Sequence, residues 1–388
     1  MMSIALSSNA TMAADALEMK PTPGVPVWML NVMDTGFLES FSGHSQGAYR
    51  ADPDGVYMDF QRAAGVCMID QYLGTNPLTM SDYGFEDTAP RTATTGAEQV
   101  MLDGICIDSP EAVVQHLEQQ GFPAMQSETG RVAAAGAREV DGVIQSEREM
   151  QAFFGPEILK VPHGSSFGHM PELRYGIYGY VNYFMAYTVY PEIMERDFAL
   201  QGELAYHRNR LAARAMLEGA LPGVVRLDHD MADSKGTLID VRTLDRIWFP
   251  HFAHAIQPYL EGGIRLLWHC DGNLMEMVPR LLEAGIGGFQ GFQYEDGMDY
   301  LRLCRMTTRD AEPLMIWAGA SVTRTLPFGS PDDVRNEIRW LAENGPRVGM
   351  FLGASSSITP GVPHENLRAL IEALNYYRTH PRRQAQSL

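Results

Sequence analysis

Nothing in these 388 residues offers a membrane anchor or a disulfide framework. No run of about 18 apolar residues occurs, so no transmembrane helix is expected. The opening stretch MMSIALSSNATMAADALEMK has no positively charged start and no solid apolar segment, so no secretory signal is expected. Cysteine is scarce: Cys67, Cys106, Cys270 and Cys304 form no CxxC pair and no disulfide pattern, which points to a reducing, cytoplasmic setting. Basic residues are also few. With 30 Lys and Arg against 48 Asp and Glu, the formal net charge is -18. Such a surface repels phosphate backbones and anionic lipid heads, so neither nucleic acid nor a membrane is an expected partner. An anionic small substrate stays open, because a pocket carries its own local sign. No Walker A sequence occurs, no GxGxxG opens a helix after a strand, and no GxSxG elbow rising from a strand is read, so no nucleotide cofactor is expected. Fixed-period repeats and low-complexity linkers are missing as well.

What is present is ordinary globular composition, 45% hydrophobic and 20% charged, in a chain long enough for a large core. Residues 1–26 read as a loose arm ending in PTPGVP, and residues 27–388 as a single domain. Residues 27–190 mix apolar pieces (Val27–Leu30, Gly65–Ile69) with many Gly, Ser, Thr and Asp. One helix is well punctuated there: Ser109 as N-cap, Pro110 in the first turn, Gly121 as the stop.

From Pro191 the pattern becomes regular. A long helix, or two abutting ones, runs to Gly219. Apolar strands near residues 224, 264, 286, 314 and 348 are each followed by a helical segment, and Pro250 splits the helix that follows the first strand. Strand and helix alternating in this way are βα units, because parallel strands need crossovers. A TIM (β/α)8 barrel fits best, since polar clusters sit at strand C-terminal ends, where barrel enzymes keep their sites. A doubly wound sheet is the structural rival.

Two clusters carry candidate chemistry. VVRLDHD ends in Asp228, His229 and Asp230, with Lys235 beyond. Carboxylates flanking an imidazole suit acid/base work or a divalent cation. They equally suit helix capping or a pair with Lys235. IRLLWHCD ends in His269, Cys270 and Asp271, followed by Gly272. Alternation puts His269 and Asp271 on one face, half of a site for zinc or another divalent metal, or a general acid with its orienter. His269 as a neutral hydrogen-bonding histidine and Cys270 as a packed thiol remain the plain alternatives. The turn Gly353–Ser357 offers amides and hydroxyls to an anion, or is only a turn. Tyr175, Tyr178, Tyr180, Tyr183 and Tyr187, with Asn182, either line a flat pocket or pack in a core.

On these residues the sequence resembles the uroporphyrinogen decarboxylase superfamily, which includes corrinoid- and thiol-linked methyltransferases. DHDMADSKGTLID, WHCDGNLMEMVPRLLEAGIGGFQ, WAGASVTRTLPFGSPDDVRNEIRWL and GASSSITPGVPHENLRALIEA are similar, in order, to the family's strand ends and helices over residues 224–377. The resemblance implies a TIM barrel with its site at the C-terminal mouth. The decarboxylase's arginine signature is replaced by Val27–Met33, and its late histidine by Ser356. Asp271 and Ser356 stand where thiol-activating relatives bind zinc through cysteine. The His-x-Asp-Gly form is closer to the branch that moves methyl groups from O- or N-methyl substrates to a corrinoid.

The expectation is therefore a methyltransferase acting on a small molecule. Its catalytic set is His269, Asp271, Asp230, Asp228 and His229, and His269 and Asp271 are its metal ligands. Lys235, Tyr180, Asn182, Tyr183 and Ser356 contact substrate, and a corrinoid-binding partner protein, or folate, accepts the methyl group. The rivals are a lyase or decarboxylase, with Arg324 or Arg265 holding a carboxylate, and a non-catalytic ligand-binding barrel. No feature fixes the oligomeric state, and a homodimer is carried as an expectation.

Overall fold

Between residues 224 and 354 the chain repeats one move: a short apolar strand runs inward and a helix carries the chain back. The computed structural model describes residues 5–75 and 100–382. The strands Val224–Asp228, Arg265–His269, Gly288–Gln290, Met315–Ala320 and Met350–Ala354 pair in chain order as one five-stranded parallel sheet. All but the ends of these strands are buried. Burial on both faces is why they read as continuous apolar runs rather than alternating ones. The fold is thus mixed α/β.

The helices match their punctuation. Pro191–Gly219 is one continuous helix. Val241–Ile247 and Phe249–Glu261 are separated at Trp248, with Pro250 in the second helix's first turn, where its missing N–H costs nothing. Ser330 caps Pro331–Asn344 through a capping box with Asp333, and His364–Thr379 closes the described chain.

The sheet continues past its last strand through shorter contacts. Val27 bridges Leu352, Trp28 bridges Met68, and Met68–Ile69 pairs with Leu159–Lys160, all in parallel. Among the described residues no ladder joins Leu159–Lys160 to Val224–Asp228.

Two sequence expectations need correction. The loose arm contains a helix, Ser8–Leu17, whose Ala10, Ala13, Ala16 and Leu17 are buried. Its stripe is mostly alanine, so its hydrophobic signal is faint although the packing is close. The helix begun at Pro110 does not stop at Gly121. Ser109 caps it as expected (Ala112 N–H to Oγ, 3.2 Å), but Leu117–Gly121 passes as a π-helical turn into Phe122–Ala133. Pro123 sits in that next helix's first turn, so the run is re-formed rather than ended.

Candidate functional site

Three neighbouring strands deliver their last residues to one row. Asp228 is in register with His269, and His269 with Gln290. Since side chains alternate along a strand, Arg226 and Asp228 share a face with Leu267 and His269, while Trp268 turns back onto the helix residues Trp248 and Phe252.

Just past the strand ends, Asp230, His269 and Asp271 each bring a ligand atom within 4.8 Å of the others. His269 Nε2 lies 4.0 Å from Asp271 Oδ1 and 3.8 Å from Asp228 Oδ1. Asp230 accepts the Asp271 N–H at 2.8 Å, which ties the two loops together, and Ser356 Oγ donates to Asp271 Oδ2 at 3.2 Å. His269 Nδ1 and Asp271 Oδ1 are buried and have no hydrogen-bond partner. Of the two, Asp271 Oδ1 faces His269 Nε2 across the cluster and is the atom left open to a further partner.

The charge balance agrees. Burial pushes the Asp271 carboxyl up, and Asp230 and Asp228 add to the rise against the pull of His269. Burial also pushes Asp228 up, but His269 and Arg226 outweigh it and hold that carboxyl below its usual value. Carboxylates gathered around a single imidazole leave the cluster short of positive charge, a deficit that a proton or a cation relieves.

A frame missing from the sequence expectations holds this row. Arg226 is buried, and its guanidinium donates to Asp70 (2.7 Å), Asp228 (2.7 Å), Gln71 (3.1 Å) and Gln290 (3.5 Å). Trp28 Nε1 reaches Asp70 at 2.8 Å. Burial would raise Asp70, yet Arg226 and His163 overcome it and keep the carboxyl ionised. The signal was available: an arginine in the middle of the apolar run VVRLD must have a buried anion opposite it. Gly291, with φ +80°, matters for a different reason. A Cβ there would lie 2.4 Å from His269 Nδ1, so the imidazole rests against bare backbone.

Several expected site residues lie elsewhere or act otherwise. His229 Nε2 accepts the Leu173 N–H at 2.8 Å, and burial lowers its pKa to about 4, so this nitrogen is engaged by the fold and turned away from the cluster. Lys235 is exposed in the hairpin Ala232–Thr237, where its backbone N–H donates to Asp233. Asn182 donates to the Ile107 carbonyl at 3.0 Å, and Tyr183 is wholly buried against Tyr178, so both hold the fold. Tyr180 is nearer the cluster: its ring packs at a tilt against Tyr175, whose hydroxyl donates to the Asp230 carbonyl and whose ring stacks on His229. Ser356 is at the cluster, while the Ser355 and Ser357 hydroxyl oxygens accept from Val322 N–H and the Asn31 amide. Cys270 is a packed thiol, pushed up to about 12 by burial. Arg265 begins its strand, at the end away from His269, and pairs with Glu312, while Arg324 is largely exposed beside Asp296. Gly43-His44-Ser45-Gln46-Gly47 spells GxSxG, yet it joins two helices on the surface and is no strand-borne elbow.

No helix among the described residues is long and apolar enough to cross a membrane. No protein-family model matches the chain, and no curated protein matches it. Among solved structures the chain is similar to a methyltransferase from Methanosarcina mazei, with a TM-score of 0.50 and 17% identity over 95% of this chain and 98% of that one. At that identity the likeness is one of fold.

Proposed function

We propose that residues 27–388 form one (β/α)8 barrel, and that it is a methyltransferase-like enzyme removing a methyl group from an O- or N-methylated small molecule. The observation that carries the reading is the convergence of Asp230, His269 and Asp271 within 4.8 Å at adjacent strand ends. Closure into a ring is supported by eight parallel segments that follow one another from Val224–Asp228, through the sheet and Val27–Trp28 and Met68–Ile69, to Leu159–Lys160. Arg226, on the first of these, also ties to Asp70 beside Met68–Ile69, the seventh, through side chains. The fold-level likeness to a methyltransferase supports the chemistry.

The donor set fits a zinc-class divalent ion. One imidazole nitrogen and two carboxylates are suitable ligands, and their spacing of up to 4.8 Å would have to draw in toward the roughly 3.4 Å between ligands of a tetrahedral ion with bonds near 2.1 Å. His269, Asp271 and Asp230 would hold the ion, which supplies Lewis acidity toward the leaving heteroatom. In the transfer the bond from methyl carbon to oxygen or nitrogen breaks, its electron pair stays on the heteroatom, and the acceptor's lone pair takes the methyl. A corrinoid on a partner protein, or a folate, fits that acceptor role. The heteroatom then needs a proton. Solvent would supply it once the leaving heteroatom is stabilised, while Ser356 fixes the orientation of Asp271 as a ligand. Tyr175 and Tyr180 offer an aromatic wall to the methyl-bearing group. The free thiols agree with a cytoplasmic setting.

The test is to incubate the purified chain with cob(I)alamin and a panel of methyl ethers and methylamines, following methylcobalamin by absorbance. Methyl transfer that disappears in His269→Ala supports the reading. Release of CO2 from carboxylic acids, with no methylated acceptor from any donor, overturns it.

A further inference from the structure

Ser321 is wholly buried just past the strand Met315–Ala320, and each of its polar groups is engaged. Its N–H donates to Glu337 Oε1 at 3.2 Å, and its hydroxyl donates to Glu295 Oε1 and accepts the Arg324 N–H at 3.1 Å. Its carbonyl accepts the Leu326 N–H at 2.9 Å. Thr323 brings a second hydroxyl to Glu295 at 2.5 Å, and the Val322 N–H donates to Ser355, next to Ser356. The turn Ser321–Thr325 is thus folded around one serine, and two carboxyls from other elements hold that serine. Beyond the turn the chain is fixed separately: the buried Asn366 donates to the Leu326 and Gly329 carbonyls at 2.9 and 2.8 Å.

Both carboxyls are half bare. Glu295 Oε2 and Glu337 Oε2 are buried and have no hydrogen-bond partner among the described residues. The charged groups of the neighbouring elements are spoken for. Asp296, in the same turn as Glu295, pairs with Arg324. Asp333, one turn back on the helix of Glu337, is bound to Ser330. On the closing helix His364 pairs with Asp34, Arg368 lies over Phe37, and Glu372 pairs with Arg335. Tyr294, packed on Trp340, brings only a hydroxyl that is itself buried and unpaired. Among the described residues no cation answers Glu337: burial pushes its carboxyl up to about 7 against the pull of the Ser321 N–H. A neutral carboxyl tolerates such a place. A carboxylate there carries an unsolvated oxygen and shares Ser321 with a second acid, Glu295.

We infer that Glu337 is a proton-operated latch on the turn Ser321–Thr325: the neutral carboxyl holds Ser321 in place, and the carboxylate releases the turn by drawing water to its bare oxygen. The latch stands whether or not the chain transfers methyl groups. Hydrogen exchange of the full chain, followed by mass spectrometry from about pH 6 to about pH 8.5, tests it. After correction for the intrinsic rise of exchange with pH, peptides covering Ser321–Thr325 should lose protection about tenfold through pH 7, while the strand Met315–Ala320 keeps its own. Glu337→Gln keeps an acceptor for the Ser321 N–H and cannot ionise, so it should abolish the step and leave the turn protected at the higher pH. Glu295→Gln removes the second charge from the same serine and should make the step smaller. Melting curves at low pH will show that both variants fold. Protection that does not change through neutral pH overturns the inference, as does a step that persists in Glu337→Gln.

Discussion

The two halves of this protein hold their parallel segments together by different means. From Val224 to Ala354 the backbone does it: five strands in register, each followed by a helix. From Val27 to Lys160 the backbone pairing is cut to single bridges and a two-residue pair, and side chains, mostly from helices, satisfy backbone groups left over. The buried Gln61 accepts the Leu30 N–H at 3.2 Å and donates to the Leu30 carbonyl at 2.8 Å. Gln151 likewise serves Lys160 N–H and the Ile158 carbonyl, and Cys67 Sγ accepts from Val27. The lesson is that backbone groups need partners, and not partners of one kind. Where side chains supply them, the segment needs no regular strand pattern, but it depends on a few polar residues placed with care.

That difference can be tested first where the halves meet. Arg226→Met leaves the Asp70 carboxyl buried without its charged partner, to be held ionised at a cost or neutralised by a proton, so unfolding in urea should show a loss of about 3–5 kcal/mol. A loss below about 1 kcal/mol would mean that the Arg226–Asp70 bond does not join the halves. Next, Gln61→Leu removes the side-chain substitute for a ladder and strands two backbone groups. The same urea measurement should show a cost of about 1–3 kcal/mol, with the regular half keeping its far-ultraviolet helical signal near the midpoint. Simultaneous melting of both halves, with no cost, breaks the comparison. In the regular half the sensitive points concern the site and not the ladder. Gly291→Ala drives a methyl group into His269 and puts a non-glycine residue at φ +80°, so metal affinity should fall about 10–100-fold while the chain stays folded.

The smallest effect is one of pH. Burial pushes the Glu337 carboxyl up to about 7. Its folded pKa lies above its unfolded one, so the chain is favoured below about pH 4.5 and loses that contribution as pH rises through about 7. Glu337→Gln should therefore melt about 1–3 °C higher at pH 8 and match the wild type at pH 4.5. A gain at the lower pH instead would reverse the sign.

The sequence was legible where burial imposed a pattern. The five strands of the sheet, the Pro250 break and the Ser330 cap were all visible, because a doubly buried strand must be apolar and a helix end must satisfy its N–H groups. The convergence of the Asp228-His229-Asp230 and His269-Cys270-Asp271 clusters followed from the same strands. The role of each residue did not. His229 and Asp230 are adjacent in sequence, yet one points to Leu173 N–H and the other to Asp271 N–H, a choice made by the loop and not by the strand. Asn182 and Tyr183 look like pocket residues in composition, but their helix turns them inward. Asp70 and Arg226 are 156 positions apart, and only the folded chain brings them together.

The central claim is that Asp230, His269 and Asp271 act as one cation-binding centre. Isothermal titration of the purified chain with zinc tests it directly. The account predicts one saturable site per chain, lost in His269→Ala and in Asp271→Asn, and weaker as pH falls because protons compete at Asp271. No saturable binding, or binding undiminished in both variants, would contradict it.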